Sequence, residues 1–395
     1  MIDLKALIRD RGIGDRAIRI REHLHRNPEL SEREFRTMEL ICRRLEELGI
    51  PCEKGIADTG VTGLITGGSD GPAIGLRADI DALPIQEENE NLPYRSAVPG
   101  VMHACGHDAH TAILLGVAET LMSVREQLRG SVRLFFQPAE ESIGGARRMI
   151  EAGCLENPRV DCVLGLHVDG SLPVGRIGLC YGKMYAASDM LTLKIHGKAC
   201  HGAHPANGVD AIYIAAAIVT TVQSVCSRNI EATDSMVCTF GTVRGGNVRN
   251  QIADYVELTG IIRTLDPATR LFARERVRTI CEQTAAMLGG SAELLVEPSY
   301  PSLINDDGMT DRVRKNAGEL LGAENVVIDN VPSLGTEDFA YFAAARPACF
   351  FHLGCALPEE RHNVAHSPYF DLDPRCIPLG IELQSANVLS LLTVS

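Results

Sequence analysis

Apolar and polar positions divide the chain into stretches of different periodicity. Residues 1–50 carry helical spacing, with an amphipathic run through 31–48 that Gly49 and Pro51 bring to an end. Short apolar runs follow at 61–66, 73–80, 131–137 and 160–168, alternating with helical patterns at 109–127 and 143–152. Apolar strands separated by helices predict an α/β unit with a mainly parallel, buried sheet.

From about residue 183 the pattern changes. Strand patterns at 189–196, 235–244, 252–263 and 291–297 are interleaved with helical ones at 208–227 and 268–288. This β-α-β-β-α-β order is the split βαβ, ferredoxin-like arrangement. α/β character then returns. A helix is expected at 309–321, then the segment Val326–Ile328, a helix near 337–344, a strand at 347–353 and a final helix near 377–393. A chain of 395 residues exceeds one typical core. The expected organisation is an α/β domain built from 1–182 and 300–395, with a ferredoxin-like domain inserted at 183–299.

Composition narrows the function classes. Net charge is −13, with Lys and Arg scattered, so the basic stripe of a nucleic-acid binder is absent. No stretch approaches the roughly 18 apolar residues of a membrane span, and the first residues lack a signal-peptide core. Thirteen dispersed cysteines point to a reducing cytoplasm with mostly free, buried thiols.

Candidate chemistry concentrates at Met102–His110, which packs three imidazoles, a thiol and a carboxylate into nine positions. Cys105 and His107 lie two apart, so an extended backbone would aim both at one point. A thiolate and an imidazole suit a borderline-soft divalent metal. Further candidates sit after apolar strands, where open α/β sheets gather their ligands. These are Asp79 and Asp81, then Glu140 and Glu141, then His167. Neighbouring side chains in extended backbone diverge, so one glutamate of the pair can bind metal while the other faces substrate and water. Asp79 or Asp81 can orient a ligating imidazole. Taken singly, each residue is as ordinary as a core histidine, a solvated turn or a helix cap, and His103 and His110 read that way. The cluster together with the strand ends does not.

The segments HRNPELSEREFRT (25–37), GLRADIDALPI (75–85), MHACGHDAHTA (102–112), FQPAEESIGGA (136–146), GLHV (165–168), GKACHGAHPANGVDA (197–211), GTEDFAYF (335–342) and HSPYFDLD (366–373) span nearly the whole chain. Together they resemble the aminoacylase/carboxypeptidase family of dinuclear metallopeptidases. Within it, the resemblance is to the amidohydrolase branch of aminoacylases, hippurate hydrolases and auxin-conjugate hydrolases. The resemblance implies a two-metal site held by Cys105, His107, Glu141, His167 and His366, with Cys105 bridging. It makes Glu140 the general base. It implies that His201, in the inserted dimerisation and lid domain, reaches a neighbouring subunit's site to polarise the scissile carbonyl. Asn250 and Arg263 resemble residues that hold the substrate's carboxylate or carbonyl oxygen, and Gly354 a backbone contact to that carboxylate. Two departures stand out: Asn250-Gln251-Ile252-Ala253 where Asn-Val-Ile-Pro is frequent, and Ala365 where a bulkier residue is common.

The activity this implies is hydrolysis of N-acyl amino acids, a small-molecule substrate, by a homodimer or homotetramer carrying two divalent ions per subunit. The thiolate favours zinc, while the carboxylate and imidazoles also accept manganese, cobalt or nickel. The competing readings are a metallo-dipeptidase or carboxypeptidase on short peptides, and a non-catalytic binding protein stabilised by metal. Structural zinc sites need no adjacent base. Glu140 beside Glu141 therefore favours an enzyme.

Overall fold

The computed structural model describes residues 2–357 and 364–392. They form two compact units: 2–182, 304–331, 341–357 and 364–392 make the first, and 183–303 with 332–340 the second.

The first unit opens with helices Leu4–Asp10, Ile13–Arg26 and Phe35–Glu47. Its sheet has eight strands, in the order Cys52–Ile56, Gly60–Thr66, Arg129–Gln137, Ser69–Asp79, Cys162–Pro173, Ala348–Ala356, Ile177–Leu179 and Val326–Ile328. Four central strands, from Arg129–Gln137 to Ala348–Ala356, run parallel. The hairpin Cys52–Ile56/Gly60–Thr66 extends one side of the sheet antiparallel. The inner stretches of the central strands, such as Ala73–Asp79 and Ala348–Phe351, are buried at every position, as strands covered on both faces must be. Helix His107–Met122 is likewise buried nearly all round. It meets Cys376–Leu392 so closely that a Cβ on Gly116 would lie 2.3 Å from Ile381 Cδ1. The α/β architecture with a mainly parallel central sheet is as the periodicity predicts. The short strands Cys52–Ile56 and Ile177–Leu179 carry too few apolar positions to register as patterns. The expected final helix at 377–393 is Cys376–Leu392, its last position lying outside the described residues.

The second unit is a four-stranded antiparallel sheet in the order Met236–Gly245, Tyr255–Thr264, Ala187–His196, Ser291–Pro298. Helices Ala211–Thr221 and Pro267–Met287 complete the β-α-β-β-α-β order. Leu191, Leu193 and Ile195 alternate inward and pack with Ile214, Ile218, Val256, Leu258 and Val277. Asp210 and Asp266 cap the two helices through their carboxylates. The helical pattern at 208–227 breaks in two, Ala211–Thr221 being followed by a π-helical turn at Val225–Asn229. The stretch Ala211–Asn229 is long and apolar enough to cross a membrane by length and composition alone. Here Ile214, Ile218, Val222 and Val225 are buried in the unit's own core. Residues 300–303 and 332–340, expected with the α/β domain, belong to this unit instead. The reason is backbone pairing: the Ser188 N–H donates to the Tyr300 carbonyl at 2.9 Å, and the Ala186 N–H to the Gly335 carbonyl at 3.0 Å.

Candidate metal centre

The site of the first unit lies at the carboxyl ends of the parallel strands, where an open α/β sheet leaves a crevice. Asp79 closes its strand opposite Gln137, so the chain leaving both strands enters one region. Arg77 pairs with Gly165, and His167 stands two residues further along its strand, as Asp79 does along its own.

Cys105 and His107 reach the site by a route other than extended backbone. Gly106 between them is left-handed (φ +96°), and His107 is the first residue of its helix. A Cβ on Gly106 would sit 2.3 Å from Val168 Cγ2, so only glycine lets the turn press against the His167 strand. His167 lies inside the strand Cys162–Pro173 rather than at its end, because the apolar pattern stops before the strand does. Glu140 and Glu141 occupy a turn, not a strand extension. Pro138 and the left-handed Ala139 (φ +55°) break the ladder first.

The cluster is compact. Cys105, His107 and His167 offer ligand atoms within 4.8 Å of one another, and so do Cys105, Glu141 and His366 and, separately, His107, Glu140 and Glu141. His167 Nε2 lies 3.4 Å from Cys105 Sγ, and His366 Nε2 lies 3.2 Å from Glu141 Oε1. His107 Nε2 and Glu141 Oε1 face each other at 3.8 Å. Both atoms are buried without a hydrogen-bond partner among the described residues. An imidazole nitrogen and a carboxylate oxygen at that separation, with His366 beside the oxygen, suit a shared cation. Burial pushes the Cys105 thiol up, as do the nearby Glu141 and Glu140 carboxylates, so a thiolate there would call for a cation beside it.

The surrounding residues set the orientation of these ligands. His107 Nδ1 lies 3.0 Å from the Asp81 carbonyl and 3.2 Å from Asp81 Oδ1, which aims Nε2 into the cluster. The same Asp81 carboxylate accepts from the Glu141 N–H at 3.0 Å and from the Ser31 hydroxyl at 2.7 Å. Asp79 Oδ1 pairs with His110 Nδ1 at 2.6 Å, and Asp79 Oδ2 accepts from Arg77 at 2.7 Å. Burial alone would raise the Asp79 carboxyl; His107, Arg77 and His110 outweigh it and hold that carboxyl well below its usual range. Both nitrogens of His110 are engaged, Nε2 accepting from the Val168 N–H at 2.9 Å. Neither ring nitrogen of His110 is therefore free of a partner. His103 is buried with neither nitrogen hydrogen-bonded among the described residues, and burial pushes it down to about 4.

In the second unit, His201 and Asn250 are brought together. His201 pairs with Gln251 in a two-residue ladder, and the Gly202 N–H donates to the Asn250 carbonyl at 2.8 Å. Arg263 stands elsewhere. It pairs with Ser188 at one end of the sheet, whereas Tyr255 pairs with His196 at the other end, beside the chain leading to His201. Eight residues of strand separate these ends, about 26 Å at ~3.3 Å per residue. Arg263 Nη1 is buried with no hydrogen-bond partner among the described residues, and burial lowers its pKa. Gly354 has its N–H committed to the Arg176 carbonyl at 2.9 Å. A Cβ there would lie 2.1 Å from the Pro173 carbonyl oxygen, so the glycine answers a close backbone approach.

Two groups of buried residues escaped the sequence reading. Arg21 and His25, on helix Ile13–Arg26, reach Asp108 at 2.9 and 2.8 Å, and Arg21 also reaches Asp371 at 3.0 Å. Glu34 is fully buried against the turn that carries Glu140. The signal for Arg21 and His25 was their place on the helix face that the apolar positions Ile13, Ala17 and Leu24 turn inward; Glu34, which precedes its helix, had none.

The description "Peptidase family M20/M25/M40" matches residues 75–389. The chain belongs to this family. It is 42% identical over 360 residues to the N-acetyl-L-cysteine deacetylase of Bacillus subtilis, covering 91% of this chain and 84% of that protein. It is 37% identical over 381 residues to thermostable carboxypeptidase 1 of Saccharolobus solfataricus, covering 94% of each. The solved structure of the Bacillus subtilis YXEP protein, described as a dinuclear metal binding peptidase from the M20 family, superposes with a TM-score of 0.85. The two are 36% identical, over 98% of this chain and all of that one. As a member of the family the chain is an amide-cleaving hydrolase, and the α/β fold with its antiparallel second unit is the family's architecture.

Proposed function

We propose that the protein is an N-acyl-amino-acid amidohydrolase using two divalent metal ions. The observation that carries it is the orphaned pair His107 Nε2 and Glu141 Oε1, set among Cys105, His167 and His366 with Glu140 alongside. Those five residues would hold the ions, which when bound polarise an amide carbonyl and acidify a water. Zinc or manganese suits the mixed thiolate, imidazole and carboxylate set, and cobalt or nickel is also accepted. Glu140 takes the proton of the attacking water and delivers it to the departing amine nitrogen, which leaves as a free amino acid. His201 hydrogen-bonds the oxyanion as it forms. The unpaired Arg263 guanidinium is suited to the substrate's carboxylate. The deacetylase relative supports an acyl rather than an aminoacyl substrate. The free thiols suit a reducing compartment such as the cytoplasm.

Arg263 sits at one end of the four-stranded sheet, whereas His201 and Asn250 lie at a separate two-stranded ladder reached from the sheet's other end, so a single copy of the second unit draws them from different places. A dimer resolves this, with His201 supplied by the partner. An exposed apolar face on helix Ala211–Thr221 (Ile212, Tyr213 and Val219) and the unpaired edge strand Met236–Gly245 support such an interface. Mixing Glu140→Ala and His201→Ala proteins tests it. Each variant alone should be inactive, and subunit exchange in a symmetric dimer should restore about a quarter of wild-type activity. No recovery would assign His201 to its own subunit.

Substrate class is tested by assaying N-acetyl and N-benzoyl amino acids beside dipeptides after metal loading. Preference for the acyl compounds is expected, and faster dipeptide cleavage would move the assignment to a peptidase. Chelation should remove activity with little loss of folded structure, measured by melting curves. Unfolding on chelation would mark the metal as structural.

A further inference from the structure

The turn that carries Glu140 is held from outside by a residue with no assigned role. Ala139, the residue before Glu140, is buried and left-handed at φ +55°, a conformation that a residue with a Cβ rarely adopts. Its N–H donates to Glu34 Oε1 at 2.9 Å. The other oxygen of the same carboxylate accepts from the Thr59 hydroxyl at 2.6 Å. Glu34 is wholly buried and precedes helix Phe35–Glu47, yet its side chain caps none of that helix's N–H groups. A glutamate at this position ordinarily stays in water. On the other side of Glu140, the Glu141 N–H is held by Asp81 Oδ2 at 3.0 Å. The Ala139 carbonyl accepts from the Gly144 and Gly145 N–H groups at 3.0 and 3.3 Å. Backbone rotation at Ala139 would therefore swing the Glu140 carboxylate directly, and among the described residues Glu34 alone accepts from the N–H of Ala139.

We propose that Glu34 is a positioning residue: it holds Ala139 in the left-handed conformation and thereby aims the Glu140 carboxylate at the reacting water. This rests on the reading of Glu140 as the base. It separates Glu34 from a residue that merely fills the core, because the effect must pass through the conformation of Ala139.

Glycine at 139 removes the Cβ that opposes the left-handed state, so it should make the Glu34 tether less necessary. In Glu34→Ala, kcat should fall by about tenfold to a hundredfold, the scale set by ~1 Å misplacement of a reacting group. KM and metal stoichiometry should stay unchanged, and exchange of the Ala139 amide proton should speed up. Adding Ala139→Gly to Glu34→Ala should recover most of the lost kcat, while Ala139→Gly alone stays close to wild type. If Glu34→Ala does not fold, Glu34→Met carries the test. Methionine keeps most of the volume but offers no oxygen to the Ala139 N–H, so kcat should again fall and be restored by Ala139→Gly. Unchanged kcat in the Glu34 variants, loss that follows metal content or melting temperature, or loss that Ala139→Gly leaves untouched would each overturn the proposal. Glu140→Ala is measured in parallel. If it remains active, the reading of the base has failed; if it is inactive while Glu34→Ala is normal, only the positioning role has.

Discussion

Glu140→Ala is expected to lower kcat by about a hundredfold to ten-thousandfold, the range that a positioned general base contributes. Metal stoichiometry should stay at the wild-type value. Glu141→Ala should do the opposite in kind. It removes the orphaned Oε1 that faces His107 Nε2 at 3.8 Å and His366 Nε2 at 3.2 Å, so metal content should fall with activity. The contrast follows from the turn at 140–143, which presents two adjacent carboxylates in different directions. Elemental analysis beside steady-state kinetics separates the roles. A Glu140→Ala protein that turns over normally, or that loses metal as Glu141→Ala does, would reverse the assignment.

The second large effect concerns stability. Arg21→Met should destabilise the protein by about 3–5 kcal/mol at neutral pH, the usual result of removing one partner from a buried ion network. Arg21 is 1% exposed and bridges Asp108 and Asp371, with its guanidinium 4.7 Å from the Tyr94 ring centroid. Removing it leaves two largely buried carboxylates without their cation. Methionine fills much of the volume, so most of the loss is electrostatic. Denaturant titration at two pH values checks this. Burial alone would raise the Asp108 carboxyl; Arg21 and His25 overcome it and hold that group far below its usual range. A carboxyl depressed in the folded state contributes stability that is fully present above its unfolded value of about 3.9 and is lost as pH falls toward the folded value. Without Arg21 the Asp108 carboxyl accepts a proton more readily, so the penalty should be largest near pH 7 and shrink toward pH 4. A penalty independent of pH would show that packing, not charge, sets it.

The same network connects stability to the site. Asp108 follows His107, and Asp371 lies in the segment that begins at His366. His366 is itself left-handed (φ +64°), with its N–H on the Ala104 carbonyl at 2.7 Å. One buried guanidinium thus ties the helix that starts at one candidate ligand to the loop that carries another.

Much of this was legible in the residues themselves. Apolar periodicity distinguished the parallel α/β unit from the inserted antiparallel one, because burial on two faces and burial on one leave different patterns. The thiol, imidazoles and carboxylates declared the candidate chemistry, since few other combinations of side chains serve a divalent metal. The segments shared with the family ordered those candidates into ligands and base.

Local spacing failed where backbone leaves the regular conformations. Gly106 and Ala139, both left-handed, turned expected strand extensions into turns, and no two-residue or four-residue period describes a single inverted φ. Tertiary structure also decided which way each ring points. His107 is turned by Asp81, and His110 is spent on Asp79 and Val168, partners 26 to 58 positions away in the chain. It decided that Arg263 stands at one end of the four-stranded sheet while His201 lies in a separate ladder reached from the other end. And it brought Glu34 beneath Ala139 across 105 residues of chain. Composition and periodicity determine which side chains are present and which face of an element is buried. Only the packed chain determines which buried polar atoms find partners, and two of those without one among the described residues, His107 Nε2 and Glu141 Oε1, lie amid the candidate ligands.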